Sequence, residues 1–479
     1  MNLSQISPAA PEITLTLMIC VVLLADLFVP QEKRVITFWL SIASLAVTAW
    51  VIVVTASSAT TLAFDGSYVS DPLSRLMKLC ATGIVGVGFL YARDYLQQND
   101  LLKGEYYLLG LFGLLGMMIM MSANSLLTMY LGLETLSLSL YALVAFERES
   151  AKAAESAMKY FVLGAIASGA LLYGISWVYG VTGTLHFHEI AEVIRQNPGL
   201  NDVPLWFGIA FMIVGIAFKF GAVPFHMWLP DVYQGARSPV TLYIATAPKI
   251  AALALLFRIL VDGLGELHGV WQGMIMVVAV LSLLIGNIVA IAQSNIKRML
   301  GYSAIAHVGF ILLAVFTGSE TGYAAALFYT LTYIVMAAGA FGMVILLSRQ
   351  GFEAEAIRDF KGLNARNPWF ALMMLFFMFG MAGVPPWVGF IAKLNVINAV
   401  LEAGFPGLAV LMVLASVVGA YYYLRVIWYM YFDAPEDRSV FQSQADTRFV
   451  LSLNGIAVLA LGILPGWLLK LCIDVIGHS

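Results

Sequence analysis

The chain has 479 residues, of which 61% are hydrophobic and only 11% are charged. Soluble domains carry roughly 25% charged residues, so this composition excludes a soluble globular protein and predicts an all-α, polytopic protein of the lipid bilayer. The formal net charge of −3 says little by itself, because the distribution of charge along such a chain matters more than its sum. We expect the lipid bilayer as a partner and no nucleic acid.

Fourteen apolar segments of spanning length follow one another along the chain. The first is preceded by a polar stretch that contains Glu12 and has no Lys or Arg before Lys33. A signal peptide has a basic start, so we expect this segment to remain as a helix. A bilayer is spanned by about 20 apolar residues, and we predict transmembrane helices at about 13–30, 35–55, 71–92, 104–122, 125–146, 156–182, 203–225, 238–262, 270–292, 298–317, 321–348, 368–396, 406–432 and 449–475.

The positive charges of the connections alternate with the predicted helices. Sixteen of the 25 Lys and Arg lie in or beside every second connection, whereas the other connections hold only Arg195. Cytoplasmic loops are enriched in Lys and Arg, so we predict a multi-pass protein of the bacterial inner membrane with both termini periplasmic. The sixteen residues are Lys33, Arg34, Arg93, Lys103, Arg148, Lys152, Lys159, Arg237, Lys297, Arg298, Arg349, Arg358, Lys361, Arg366, Arg438 and Arg448.

Two lysines lie beside helix-breaking residues in the stretch GIAFKFGAVPFHMWLPDVYQGARSPVTLYIATAPK. Lys219 lies in an apolar segment and is followed by Gly221 and Pro224, and Pro248 directly precedes Lys249. Proline removes a backbone donor and kinks a helix. A cation at mid-membrane costs about 2.5–3.5 kcal/mol on the insertion scale. We therefore infer that these lysines serve ion movement rather than stability.

A similar pattern occurs in the twelfth predicted helix, which reads FGMAGVPPWVGFIAKLNV and places two prolines and a glycine before Lys393. Helices 7 and 12 are five spans apart, so they cross the membrane in opposite directions. Broken helices at matching positions of two inverted halves are typical of transporters. We predict a single membrane domain, 1–479, with two inverted five-helix repeats, helices 4–8 (about 104–262) and helices 9–13 (about 270–432), in which helices 7 and 12 are broken.

Glu134 lies in the middle of a predicted helix, in SLLTMYLGLETLSLSLYALV, where only Ser, Thr and Tyr can solvate it. A lone buried carboxylate is driven toward its neutral form, and a nearby lysine keeps it charged. We therefore predict an ion pair between Glu134 and Lys219. A static structural pair is the alternative for Glu134, and packing or snorkelling to an interface is the alternative for Lys219, Lys249 and Lys393.

His307, in GYSAIAHVGF, shares a helix face with Ser303 four residues earlier. An intramembrane histidine with a hydroxyl neighbour can relay protons near neutral pH, and a hydrogen-bonded packing role is the equally common alternative. Arg425 is surrounded by tyrosines in YYYLRVIWYMYF, so we interpret it as an anchor near an interface.

We predict no metal or cofactor site in this chain. Cys20, Cys80 and Cys472 lie far apart in apolar surroundings, so we interpret them as buried and inert thiols. His186 and His188 in TLHFHEI have no third ligand nearby and are interpreted as solvated. No Gly-rich nucleotide loop, haem motif or iron–sulfur spacing occurs.

Long motifs resemble one known family, and the resemblance covers essentially the whole chain. PFHMWLPDVYQGARSPV, ATAPKIAAL, QSNIKRMLGYSAIAHVGF and GLETLSLSLYAL look like the antiporter-like membrane subunits of proton-pumping NADH:quinone oxidoreductase, respiratory complex I. In that family a glutamate on helix 5 and lysines on helices 7, 8 and 12 form the proton path. The residues that match them here are Glu134, Lys219, Lys249 and Lys393.

The resemblance implies a subunit of a proton-pumping translocase that performs no redox chemistry itself. NADH, FMN, iron–sulfur clusters and quinone are then expected in partner subunits. The expected neighbours are other antiporter-like subunits and small membrane subunits of the same complex.

The residues at two positions separate the branches of this family. One branch, which also has extra helices and a long lateral helix, usually has histidine where this chain has Lys249. A second branch, like one Mrp antiporter subunit, has glutamate where this chain has Lys393. The chain resembles the remaining branch. A subunit of an Mrp-type cation/proton antiporter and the plastid or cyanobacterial NDH relatives remain alternatives.

The inferred mechanism is electrostatic. Two unit charges about 4 Å apart interact by roughly 4 kcal/mol at an effective dielectric of about 20. Opening a Glu134–Lys219 pair would remove that stabilisation from the protonated lysine and expel its proton toward Lys249. We predict that the proton continues past His307 to Lys393 and leaves on the outer side.

Overall fold

A computed structural model of the chain describes residues 7–57, 59–197, 199, 202–436 and 445–477. The described chain is almost entirely helical, with one two-stranded hairpin of β1 (Thr61–Ala63) and β2 (Tyr68–Ser70). The main helices are α1 Ala10–Phe28, α2 Val35–Val54, α3 Pro72–Gln98, α4 Gly104–Met121, α5 Leu126–Val144, α6 Ala151–Thr182, α7 Phe187–Gln196, α8 Asp202–Phe220, α9 Trp228–Gly235, α10 Ser238–Ala245, α11 Ala247–Leu256, α12 His268–Ile291, α13 Ile296–Phe316, α14 Glu320–Leu347, α15 Pro368–Ala382, α16 Val388–Glu402, α17 Pro406–Phe432, α18 Ala445–Ile463 and α19 Gly466–Gly477.

Thirteen helical stretches of the described residues are long and apolar enough to cross a membrane. Each overlaps one of the predicted spans, which confirms a multi-pass helical protein. The twelfth predicted span is instead two shorter helices, α15 and α16, separated by residues 383–387. The total of fourteen spans therefore stays a prediction that counts α15 and α16 together as one broken span.

Other predicted helices differ from the structure at their ends or are interrupted. The seventh, predicted over 203–225, ends at Phe220. The eighth, predicted as continuous, stops at Ala245 and restarts at Ala247, and its last turns are the π-helix Phe257–Gly263. Pro248 explains the interruption, because it has no N–H to donate to the carbonyl four residues earlier and its ring collides with that turn.

Helices α8 and α15 end in the same way. Gly221 follows the last residue of α8 with φ 71°, and Gly383 follows the last residue of α15 with φ 82°. Both values lie in the left-handed region, where glycine avoids the Cβ clash that other residues incur. A cis peptide follows each glycine, at Val223–Pro224 and Pro385–Pro386. The two ends leave the last backbone carbonyls of each helix without intrahelical donors.

The central helix of the fold is α14. It is almost entirely buried and packs against α3, α10, α11, α13, α15, α16, α18 and α19. A helix that is apolar all round is stable only when it is surrounded, which accounts for this position. By contrast α1 contacts mainly α2 and α4, and Cys20 on it is exposed. The prediction that all three thiols are buried is therefore wrong for Cys20, because α1 lies at the periphery.

Connections with positive charge meet on one side of the molecule, which we call the charged face. Arg237, between α9 and α10, pairs with Glu147 after α5 at 2.5 Å. The same guanidinium lies 3.6 Å from Glu353, which is in the connection between α14 and α15. Three loops that the charge pattern predicts on one side are thus in contact. Arg438, predicted on this side as well, lies outside the described residues.

The opposite face carries the hairpin and α7. Backbone bridges join Tyr68 to Ala123 and Ser125 to His186. These contacts link the connections after α2, α4 and α6, which the charge pattern predicts to share a side.

Two buried ion pairs lie near this opposite face. Lys78 on α3 contacts Glu12 at 2.5 Å, and Arg258 contacts Asp71 at 2.7 Å. Each pair joins segments that are far apart in sequence and neutralises two charges that are buried in the fold. Removing one partner of a buried pair leaves an uncompensated buried charge, which is strongly destabilising, so the packing of these segments requires both members of each pair.

Candidate proton-translocation site

Glu134 and Lys219 each form a hydrogen bond with a different serine hydroxyl. Ser137 is one helical turn after Glu134 on α5, and its Oγ accepts a hydrogen bond of 2.6 Å from Lys219 Nζ on α8. The Oγ of Ser168 on α6 donates to Glu134 Oε1 at 2.5 Å. Packing of α5, α6 and α8 therefore brings the acid and the base to the same part of the fold.

The predicted direct ion pair between Glu134 and Lys219 is not present among the described residues. The physical reason is local: the helical spacing of Glu134 and Ser137 places a hydroxyl where the ammonium arrives, and the carboxylate is turned toward Ser168. The acid and the base each bind a serine hydroxyl instead.

Lys249 lies beside the end of α8. Its side chain is only 2% exposed, and Nζ donates to the carbonyl of Phe220 at 2.7 Å. Phe220 is the last residue of α8, so the ammonium occupies the negative end of a helix dipole, a position that favours cations by about 0.3–1 kcal/mol and more when partly buried. Lys249, Lys219 and Ser137 line a cavity of about 20 Å³, which has room for one water.

Lys393 has the same kind of acceptor in the second half of the chain. Its Nζ donates to the carbonyl of Ala382, the last residue of α15, at 2.9 Å. The ammonium also lies 5.3 Å from the centroid of the Phe310 ring, within cation–π range. Both lysines are therefore held at helix ends created by a break.

His307 is the centre of a hydrogen-bonded group of hydroxyls. Nδ1 lies 2.7 Å from Tyr329 Oη, and Nε2 lies 3.1 Å from Tyr423 Oη. Ser303, predicted to share a face with His307, contacts the same Tyr423 hydroxyl. His307 and Lys393 line one small cavity of about 10 Å³. A histidine with a hydroxyl on each ring nitrogen can accept a proton on one side and release it on the other.

The structure places the five predicted site residues in two groups. Glu134, Lys219 and Lys249 form the first group, and His307 and Lys393 form the second. No hydrogen bond of the described residues joins Lys249 directly to His307. Neither of the two cavities is lined by relay residues of both groups, so the step from Lys249 to His307 has no contact of this kind to support it.

The amino-acid sequence around this site matches a known family. The family described as NADH:quinone oxidoreductase/Mrp antiporter, TM, matches residues 123–419, a range that contains all five residues. NADH-quinone oxidoreductase subunit N of Thioalkalivibrio sulfidiphilus is 58% identical over 97% of this chain and 97% of that protein. The chain belongs to the subunit N family.

Solved structures have the same fold as this member of the subunit N family. A chain of respiratory complex I from Thermus thermophilus is 31% identical, covers 96% of this chain and 98% of its own length, and superposes with a TM-score of 0.82. A chain of the Mrp complex from Dietzia sp. DQ12-45-1b is only 20% identical but covers 100% of this chain and 97% of its own, with a TM-score of 0.84. The second likeness shows a shared fold only.

Sequence reasoning did not identify the uncharged partners of this site. Ser137 accepts a hydrogen bond from Lys219, and Ser168 donates one to Glu134. Tyr329 and Tyr423 each form a hydrogen bond with a ring nitrogen of His307. The motif LETLSLSLY contained a usable signal, because Ser137 follows Glu134 by three residues and so lies one turn away. No comparable signal exists for the tyrosines, which lie on other helices.

Proposed function

We propose that this chain translocates protons as subunit N of the membrane arm of a proton-pumping NADH:quinone oxidoreductase. The observation that carries the proposal is the placement of ionisable side chains at helix breaks inside the fold. Lys249 and Lys393 each donate to the carbonyl at a helix end. A charge buried in a membrane domain is costly, and its presence beside interrupted helices is typical of ion pathways.

The proton path begins at Glu134 and Lys219 and continues to Lys249. In the present arrangement Ser137 holds the ammonium of Lys219. A shift of α5 relative to α8 that brings Glu134 closer would stabilise the protonated lysine, and a return shift would release its proton. The cavity between Lys219 and Lys249 offers a place for one water to carry it.

From Lys249 the path passes His307 to Lys393. The free energy for these steps comes from redox chemistry in partner subunits, which are expected to hold NADH, FMN, iron–sulfur clusters and quinone. The proposed location is a bacterial inner membrane, with both termini periplasmic and with the neighbouring membrane subunits of the complex around this chain. The two inverted repeats, predicted helices 4–8 (about 104–262) and 9–13 (about 270–432), are part of the same proposal. They are supported by the similar ends of α8 and α15, which belong to predicted helices 7 and 12.

Replacing either end of the first group tests the proposal. We expect Lys219→Ala and Glu134→Ala to leave the complex assembled while lowering coupled quinone reduction and proton pumping together. A positioned proton-transfer group contributes about 10²–10⁴-fold in rate, so the loss should be at least roughly tenfold. Both activities are measured in inverted membrane vesicles and normalised to assembled complex.

Lys33→Ala, at an exposed lysine of the charged face, is the matched control and should pump normally. Normal pumping by an assembled Lys219→Ala complex would refute the relay. Loss of assembly would show that Lys219 is structural. Sodium movement that is independent of NADH oxidation would place the chain among the antiporters instead.

A further inference from the structure

A cavity opens on the charged face at the ends of α12 and α17. It has a volume of about 650 Å³ and is lined by Gln293 and Asn295 after α12, by the loop residues Glu355 and Arg358, and by Tyr429 of α17. We call this cavity the vestibule. The predicted proton path does not use it.

Arg425 of α17 forms the inner wall of the vestibule. Its Nη1 donates to the carbonyl of Ile291 at 2.9 Å, and its Nη2 donates to the carbonyl of Gln293 at 2.6 Å. Ile291 is the last residue of α12, so the guanidinium caps the end of this helix. The anchor near an interface stays a prediction; what the structure adds is that the guanidinium binds two backbone carbonyls at a helix end.

One turn deeper lies the cavity that holds Lys393. Tyr422 precedes Arg425 by three residues on α17, and Asn287 precedes Ile291 by four on α12, which is roughly 5 Å along each axis. Tyr422 Oη donates to Asn287 Oδ1 at 3.1 Å. Both side chains line the same small cavity as His307 and Lys393. Arg425, which lines the vestibule, is therefore one helical turn along α17 from Tyr422, which lines the Lys393 cavity.

We propose that Arg425 is a gate, and that the vestibule is an access route from the charged face to Lys393 by way of Tyr422 and Asn287. This inference rests on the proposed function and adds to it a second loading point for protons. Lys393 would then receive protons from the charged face directly as well as through Lys249. Arg425 is a positioning residue in this scheme, since it contacts neither Lys393 nor His307.

The chemistry of arginine suits a gate of this kind. Its guanidinium stays charged and does not donate its proton, so it blocks the route without becoming a relay group. A fixed positive charge in a narrow passage also repels protons and other cations. The two carbonyls at the end of α12 hold it in place, and release of those bonds would connect the vestibule to the cavity.

Cysteine accessibility in the assembled complex tests the gate. Ser416 lines the Lys393 cavity, and Ser416→Cys is introduced where Cys20, Cys80 and Cys472 are replaced by alanine. A thiol reacts as its thiolate, so a cationic methanethiosulfonate modifies position 416 only when water reaches it. The rate is compared with and without Arg425→Gln, in inverted vesicles that expose the charged face and in vesicles of opposite orientation.

We expect Arg425→Gln to raise the rate of modification several-fold from the charged face and to leave it unchanged from the other face. Thr330→Cys, at a fully buried position of α14 outside the cavity, is the matched control and should stay unreactive. An unchanged rate at position 416 would overturn the gate. A rise at both positions, or from both faces, would overturn it as well, because it would indicate general loosening.

A functional readout separates this inference from the proposed function. Arg425→Gln should keep NADH oxidation while lowering the number of protons pumped per NADH, because an open gate lets protons return. Arg425→Lys, which retains a cation, should restore much of the ratio. If Lys219→Ala pumps normally but accessibility changes as expected, the relay fails and the access route remains. If Lys219→Ala fails to pump while Arg425→Gln leaves both accessibility and the pumped ratio unchanged, only the gate fails.

Discussion

Lysine, rather than arginine, occupies the two helix ends in the membrane interior. Lys249 and Lys393 both donate to a terminal carbonyl, a contact that arginine could also make. The difference is that lysine loses its proton readily when buried, whereas arginine does not deprotonate in proteins. Under the proposed function, lysine at these two positions can therefore release its proton, whereas Arg425 stays a fixed charge.

This distinction predicts the behaviour of Lys393→Arg. The variant keeps the positive charge and should assemble normally, but it should lose pumping by at least roughly tenfold, since proton-transfer groups contribute about 10²–10⁴-fold. Lys393→Glu, which restores a titratable group, should retain some activity. Pumping is measured in membrane vesicles and normalised to assembled complex.

Lys470→Arg, at an exposed lysine of α19, serves as the control for the same change outside the site. Full activity of Lys393→Arg would mean that Lys393 supplies charge alone, and the proton would have to leave by another group.

At the scale of elements, the glycine that ends α15 positions Lys393. A Cβ on Gly383 would lie 2.8 Å from Lys393 Cδ and 3.2 Å from its Nζ, and the φ of this glycine is +82°. Gly404, after α16, has a similar φ of +86° but no atom within 4 Å of such a Cβ. The two glycines therefore share the backbone requirement and differ in the contact with the lysine.

We predict that Gly383→Ala and Gly404→Ala destabilise the subunit similarly, by about 1–2 kcal/mol each for a left-handed residue with a Cβ. Only Gly383→Ala should lower pumping per assembled complex, because it pushes Lys393 from the Ala382 carbonyl. Thermal stability of the purified complex and pumping in vesicles are the two measurements. Equal pumping by both variants would show that the position of Lys393 is not critical.

At the scale of the whole molecule, ion pairs on the charged face join helices that are distant in sequence. Asp231 on α9 contacts Arg298 on α13 at 2.6 Å and Lys159 on α6 at 3.0 Å. Burial opposes its ionisation, but the hydrogen bonds from Arg298 and Lys159 outweigh it and hold the pKa of Asp231 below its usual value. These helices therefore stay paired at neutral pH and keep the helix ends around the vestibule together.

Labelling with a membrane-impermeant maleimide tests which side of the membrane the charged face lies on. In a background with Cys20, Cys80 and Cys472 replaced, Glu149→Cys at an exposed position of the charged face should label only when the cytoplasmic side is accessible. His188→Cys, exposed on the opposite face, should label only from the periplasm. Labelling in the reverse pattern would invert the topology, and labelling of both from one side would refute the alternation of loops.

Much of the architecture follows from the sequence alone, because its signals are local. Each span is a continuous apolar run, and an ionisable residue inside such a run is visible without any knowledge of packing. This is why Glu134, Lys219, Lys249, His307 and Lys393 could be selected as candidates. The glycine and proline residues after Lys219 and before Lys393 likewise marked breaks that the structure has at Gly221 and Gly383.

The partners of those residues were decided only by the tertiary structure. Lys219 meets a hydroxyl 82 residues earlier in the chain, and His307 meets one 116 residues later, so no local pattern reports either contact. The acceptors of Lys249 and Lys393 are backbone carbonyls, which every residue possesses and which become available only where a helix ends against a neighbour. Sequence determined which side chains carry charge in the membrane, whereas packing determined what each one touches, because contacts between helices join residues far apart in the chain and leave no local pattern in the sequence.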